Sequence, residues 1–241
     1  MPDRVEVQGA RFSRASVLKH DFHGATGIYV QGADKVIVKL GRRISFFGLP
    51  MGWLGRWLIG REQRIYRVLG EMDGVPRYRG EVGAAGLAHD YIEGRPLVRI
   101  SPSLDPQFFS RLDELLKRIH LHDLAYIDLS KPENVLVGDD RRPYLIDFGI
   151  AWHCPEERRQ RRGVWRLLPT RAGTALLREF QRADRFHLLK HWRRNDPESM
   201  TPEDHTESWE RRGWTRAHGW IRVPYRALRR WLRGGGASGR I

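Results

Sequence analysis

The stretch that decides the fold is YIDLSKPENVLVGDDRRPYLIDFGI, residues 126–150. Its middle portion, NVLV and PYLI around Gly-Asp-Asp-Arg, is two runs of β-branched and aromatic residues separated by turn formers, which predicts a β-hairpin. Polar side chains gather at its mouth. Asp128, Lys131 and Asn134 precede or open the first strand, and Asp147 follows the second, just before Phe148 and Gly149.

Those residue types suit phosphoryl transfer, which needs charge compensation along the phosphates, a metal held by oxygen ligands, and a carboxylate that orients the attacking hydroxyl. Lys39 ends the β-branched run KVIVKL and is a cation able to reach the α and β phosphates. Glu62 stands in the helical segment REQRIYRVLG, residues 61–70, where it can pair with Lys39 and hold the ammonium in place. Asp147 and Asn134 are candidate ligands for Mg²⁺, a hard cation that takes oxygen donors and keeps several waters. Asp128 is the candidate to accept or orient the hydroxyl proton. In HGATGIYV, Gly24 and Gly27 allow close backbone approach to phosphates in a β-hairpin.

In their order and on their expected strands, VIVKL, IDLSKPENVLV and LIDFG resemble the protein-kinase superfamily, over roughly residues 20–152. The resemblance implies an α+β, bilobal protein-kinase-like fold. Its N-terminal lobe would be a small antiparallel sheet with one helix, and its larger C-terminal lobe mostly helical. The expected division is 1–94 for the nucleotide-binding lobe, 95–206 for the catalytic lobe and 207–241 for a basic Trp/Arg-rich extension. ATP with Mg²⁺ or Mn²⁺ is implied, with Asp128 and Lys131 at the catalytic centre. The short catalytic half and the DYIEGRPL segment resemble the compact bacterial lipopolysaccharide-core kinases, which phosphorylate Kdo or heptose, and more distantly the RIO kinases. An envelope sugar or glycolipid acceptor at the cytoplasmic face of the inner membrane follows from that likeness. A protein serine or threonine acceptor, and a pseudokinase docking on membrane or RNA, are the other readings.

The chain departs from the superfamily pattern in three places, the first being a glycine-rich loop that has only Gly24 and Gly27 in place of three spaced glycines. Tyr126 and Ile127 occupy positions where His and Arg are usual, so no cation is expected there to clamp a phosphorylated activation loop. Asn134 lies six positions after Asp128 rather than five, while Lys131 keeps its usual three-residue lead on Asn134. The extra residue is therefore expected to bulge out at Leu129 and Ser130.

Charge is unevenly distributed. Residues 1–152 hold 22 basic and 19 acidic side chains, and residues 153–241 hold 21 and 10. A basic, tryptophan-rich final third points to an anionic partner. Trp209, Trp214, Trp220, Tyr225 and Trp231 alternate with arginines there, a pattern that fits an anionic membrane surface, nucleic acid, or a core whose arginines are solvated.

Cys154 is the sole cysteine, so no intrachain disulfide forms and a reducing compartment is expected. The N-terminus lacks an apolar signal region, and no run of 18 apolar residues reads as a membrane span. ISFFGLPMGWLGRWLIG, residues 44–60, holds four glycines and Pro50. These argue against one regular helix and leave a buried connection or an interfacial loop that inserts Phe46, Phe47, Trp53 and Trp57 among lipid headgroups. In DRFHLLKHWRR, Asp184, His187 and His191 share a helical face with Lys190 beside them. That face is expected to pack beneath the catalytic loop or to support acceptor binding, with a metal trio as the alternative.

Overall fold

In the computed structural model, residues 1–20, 24–41, 52–99, 104–155 and 170–210 are described. Four strands open the chain: β1 (Arg4–Val7), β2 (Ala10–His20), β3 (Gly24–Gln31) and β4 (Asp34–Gly41). Gln8 and Gly9 join β1 to β2 with φ of 51° and 80°, the two positive values of a hairpin turn whose twist matches its strands. After helix α1 (Gly52–Leu69), β5 (Tyr78–Glu81) and β6 (Gly86–Asp90) complete a six-stranded antiparallel sheet, in the order β1-β2-β3-β4-β6-β5.

Alternation along β4 gives the sheet its two faces. Val36 and Val38 are fully buried in an outer cluster with Val5, Val7, Phe12, Tyr29 and Ala88. Ile37 and Lys39 take the other face, toward α1. That helix packs Ile59, Ile65, Tyr66 and Leu69 into the main core, each such side chain contributing about 1.5–3 kcal/mol of burial.

The helix begins earlier than the glycines of residues 44–60 led us to expect. It runs unbroken from Gly52 through Gly55 and Gly60, and Gly41 lets the end of β4 approach it closely. A β-carbon on Gly41 would lie 2.7 Å from the Gly55 carbonyl oxygen. Such tertiary contact outweighs the roughly 1 kcal/mol that an interior glycine costs a helix. The helix ends in a glycine cap, Gly70 having φ of 59° and donating its N–H to the Tyr66 carbonyl at 2.9 Å. Phe46 and Phe47 lie outside the described residues.

The chain leaves β6 and passes through β7 (Gly94–Pro96), α2 (Phe108–Leu121) and the short β8 (Leu124–Ala125). The expected hairpin follows as β9 (Val135–Gly138) and β10 (Pro143–Leu145), paired antiparallel with Leu145 opposite Val135. β7 joins β9 in a three-stranded sheet, and β11 (Trp152–His153) pairs with β8. Helices α3 (Thr170–Asn195) and α4 (Pro202–Glu207) complete the described chain.

Phe108, Phe109, Leu112 and Ile119 of α2 are wholly buried, sharing one core with Leu188, Leu189 and Trp192 of α3. Arg185 fastens this end of the molecule by reaching Asp113 on α2 at 3.0 Å and Asp204 on α4 at 2.8 Å. No helix among the described residues is long and apolar enough to cross a membrane. Trp214, Trp220, Tyr225 and Trp231 lie outside them.

Candidate active site

Lys39 Nζ lies 2.6 Å from Glu62 Oε1 and 2.9 Å from Asp147 Oδ1. Three distant parts of the sequence thus meet: the end of β4, the middle of α1 and the residue that follows the β10 strand. Burial opposes the charge on Lys39, but the two carboxylates outweigh it and hold the ammonium above its ordinary pKa. Glu62 is pushed up by burial, against the pull of Lys39. Asp147 feels burial too, yet Lys39 and the more distant Lys19 hold it below the usual carboxylate value. Its side chain is 42% exposed, so it is open to solvent, and its φ of 64° marks the sharp turn that presents it.

A second cluster adjoins the first. Asp128 Oδ2 accepts from Lys131 Nζ at 2.7 Å and from Asn134 Nδ2 at 2.9 Å. Burial raises the Asp128 pKa, with Lys131 and Asn134 opposing it. The hairpin binds the clusters together, since Ile146, next to Asp147, donates its N–H to the Asn134 carbonyl at 3.1 Å. The Tyr126 hydroxyl, fully buried, donates to the Ile146 carbonyl from the other side.

The extra residue between Asp128 and Lys131 does not form a bulge. It is taken up by two successive 3-10 turns, Asp128–Ser130 and Pro132–Asn134. Lys131 N donates to Asp128 O at 3.2 Å and Asn134 N to Lys131 O at 3.1 Å. The tighter 3-10 path returns Lys131 and Asn134 to the same carboxylate.

Gly24 and Gly27 have a role in the sheet that their spacing did not show. Both lie within β3, and β-carbons there would stand 2.5 Å from the Leu40 carbonyl oxygen and 2.8 Å from that of Ser16. Close strand approach therefore requires both glycines. Residues 21–23 lie outside the described residues.

Asp184 does more than the sequence disclosed. Wholly buried on α3, it accepts the N–H groups of Tyr126 and Ile127, both at 2.7 Å, while His120 Nε2 lies 3.1 Å from its Oδ2. Ile127 has φ of 68°, a strained backbone for a β-branched residue, and the carboxylate holds that turn immediately before Asp128. His191 adds a second support, its Nε2 lying 2.8 Å from the Leu129 carbonyl oxygen. The Asp184 and His191 face thus packs beneath the loop, and no group of three potential metal-ligating side chains occurs among the described residues. Periodicity placed Asp184 on the right face, but its partners are 57 and 58 residues away.

His89 was also missed. It is buried on β6, stacked on Tyr66 with ring centroids 5.3 Å apart. Burial and the neighbouring Lys39 push its pKa down to about 3, so it packs as a neutral side chain behind the Lys39 cluster.

No family model matches the chain. An Aurora kinase from Schizosaccharomyces pombe is 29% identical over 99 residues, which are 41% of this chain and 28% of that protein. Among solved structures, the Rio2 kinase from Chaetomium thermophilum superposes with a TM-score of 0.53 at 16% identity, over 81% of this chain and 61% of that one. That crystal is described as an ADP/Mg²⁺-phosphoaspartate complex. A second Rio2 structure from the same organism gives the same score and identity, over 62% of its chain. The chain thus spans under two thirds of each relative, and what it shares with them is the architecture in which the two clusters sit: this is a protein-kinase-like fold.

Proposed function

We propose that this chain transfers the γ-phosphoryl group of ATP to an alcohol hydroxyl. The observation that carries the reading is the adjacency of the Lys39–Glu62–Asp147 and Asp128–Lys131–Asn134 clusters, tied by the Ile146 to Asn134 hydrogen bond. Lys39, held rigid by Glu62, binds phosphate oxygens. Asp128 receives the acceptor hydroxyl and takes its proton as the oxygen bonds to the γ-phosphorus, and the bond to ADP breaks. Lys131, 57% exposed and 2.7 Å from Asp128, keeps that carboxylate ionised and offers its positive charge to the transferring group.

The donor set fits Mg²⁺. Asp147 and Asn134 provide carboxylate and amide oxygens, the hard ligands this ion prefers, and Asp147 is open to solvent. When bound, the ion supplies charge neutralisation along the phosphates. Mn²⁺ accepts the same oxygen ligands.

For the acceptor, we propose a hydroxyl of a lipopolysaccharide-core sugar or related envelope glycolipid at the cytoplasmic face of the inner membrane. The chain's formal charge of +14 and its Trp/Arg-rich end support an anionic setting. A second reading, a protein serine or threonine acceptor, is favoured by the likeness to Rio2 and Aurora kinases. Purified protein with labelled ATP and Mg²⁺, offered dephosphorylated lipopolysaccharide core and a generic protein side by side, separates them. Label in the core sugar is expected; label in protein alone establishes the second reading, and label in neither contradicts both.

A further inference from the structure

Helix α1 has two faces of different character. Inward it places Ile59, Glu62, Ile65, Tyr66 and Leu69. Outward, Trp53, Arg56, Trp57 and Arg64 are exposed at helical spacing, with Arg61 half-buried beside them. The two indoles are 58% and 52% exposed, large apolar rings left facing water. The helix contains a single acid, Glu62, and this is buried against Lys39. The exposed side chains of the outer face are Trp53, Arg56, Trp57, Arg64 and Arg67, the last paired with Glu81.

That face is also held in a fixed orientation. The Arg61 guanidinium sits 5.9 Å from the Trp57 ring centroid and donates to the carbonyls of Ile150 and Ala151 at 2.8 and 2.7 Å. Ile150 is itself 46% exposed. Arg61 thereby latches α1 to the residues just after Gly149, while Glu62, next along the helix, turns inward to Lys39 and the Phe148 backbone.

We propose that the outer face of α1 docks on an anionic bilayer surface. Tryptophan indoles partition into the headgroup region, and adjacent arginines pair with lipid phosphates, the composition of a helix lying at the interface. Charge complementarity selects an anionic surface, because no acidic side chain of the helix shares this face. A convex helix offers no groove for a nucleic-acid strand to follow while its bases stack. Docking there leaves the Lys39 side of the helix uncovered, so the cleft stays open to nucleotide. The inference deepens the membrane setting of the proposed function, but lipid binding is measured without nucleotide or acceptor, so either can fail alone.

The test is co-sedimentation of the full chain with vesicles of phosphatidylcholine, with and without phosphatidylglycerol. Three variants accompany the wild type: W53A/W57A, R56E/R64E, and R178E/R182E, which makes the same charge change on the exposed side of α3. Circular dichroism and thermal midpoints establish that each is folded. Both α1 variants are expected to lose about tenfold or more of the partition coefficient on anionic vesicles, with a clearly smaller loss for the α3 variant. Any one of three results overturns the proposal: unchanged binding by W53A/W57A, equal losses from the two charge-reversal variants, or wild-type binding to phosphatidylcholine alone as strong as to the anionic mixture.

Discussion

Asp184 accepts the N–H of Ile127 at 2.7 Å and, through its other oxygen, that of Tyr126 at the same distance. One buried carboxylate thus fixes the backbone two residues before Asp128. Asp184→Asn keeps an acceptor for one N–H and loses both the charge and the second bond, which is expected to cost about 2 kcal/mol of stability. Phosphotransfer turnover should fall at least about tenfold through misplacement of Asp128. Nucleotide affinity should hold, because Lys39, Glu62 and Asp147 do not touch Asp184. Denaturant titration and separate kcat and KM measurements check the split.

Lys39 compensates two carboxylates, and one of them, Glu62, has only 6% side-chain exposure. Lys39→Met leaves Glu62 buried without its cation, with an expected loss of about 3 kcal/mol. The double variant Lys39→Met/Glu62→Leu should regain most of that stability while phosphotransfer remains absent. Thermal or chemical unfolding of the single and double variants, beside a turnover assay, separates the stabilising role of the pair from its function.

The raised pKa of Asp128 sets an expected pH profile. Transfer requires the ionised carboxylate, so the rate should fall as pH drops through a value above the ordinary 3.8. Lys131 opposes the shift. Lys131→Ala should therefore move the acid limb of kcat/KM upward, and only modestly, because Lys131 is 57% exposed and screened by solvent.

His89 makes stability sensitive to acid. Its pKa is about 3 in the folded protein against an ordinary 6.5, so between those values the unfolded chain binds the extra proton. Stability should rise with pH across that window and fall as pH drops through it, by up to about 1.4 kcal/mol per unit from this group. The difference in unfolding free energy between wild type and His89→Leu, followed from pH 6.5 downward, should show this slope.

Much of the site was legible because its signals are local. The hairpin that carries Asn134 and Asp147 is written in two β-branched runs and a turn. Lys39 lies near the end of a β-branched run, and Glu62 falls in a helical repeat. What escaped depends on groups brought together only by folding. Glycine counts argued against a helix before residue 61, yet Gly55 is where the end of β4 meets α1. Gly24 and Gly27 looked suited to phosphates, but neighbouring strands also demand them. The six-residue spacing from Asp128 to Asn134 suggested a bulge, whereas two 3-10 turns absorb it. Asp184 lay on the predicted face, but no sequence pattern links it to Tyr126 and Ile127.

The central claim is that Asp128 accepts the hydroxyl proton in a phosphoryl transfer. It is tested most directly by single-turnover transfer from labelled ATP in the presence of Mg²⁺, comparing wild type with Asp128→Asn. The substituted side chain can still accept a hydrogen bond but cannot take the proton at neutral pH. The wild type should label the acceptor, and the rate should fall about 10²-fold or more in the variant, with nucleotide affinity retained. Equal rates in the two proteins would contradict it.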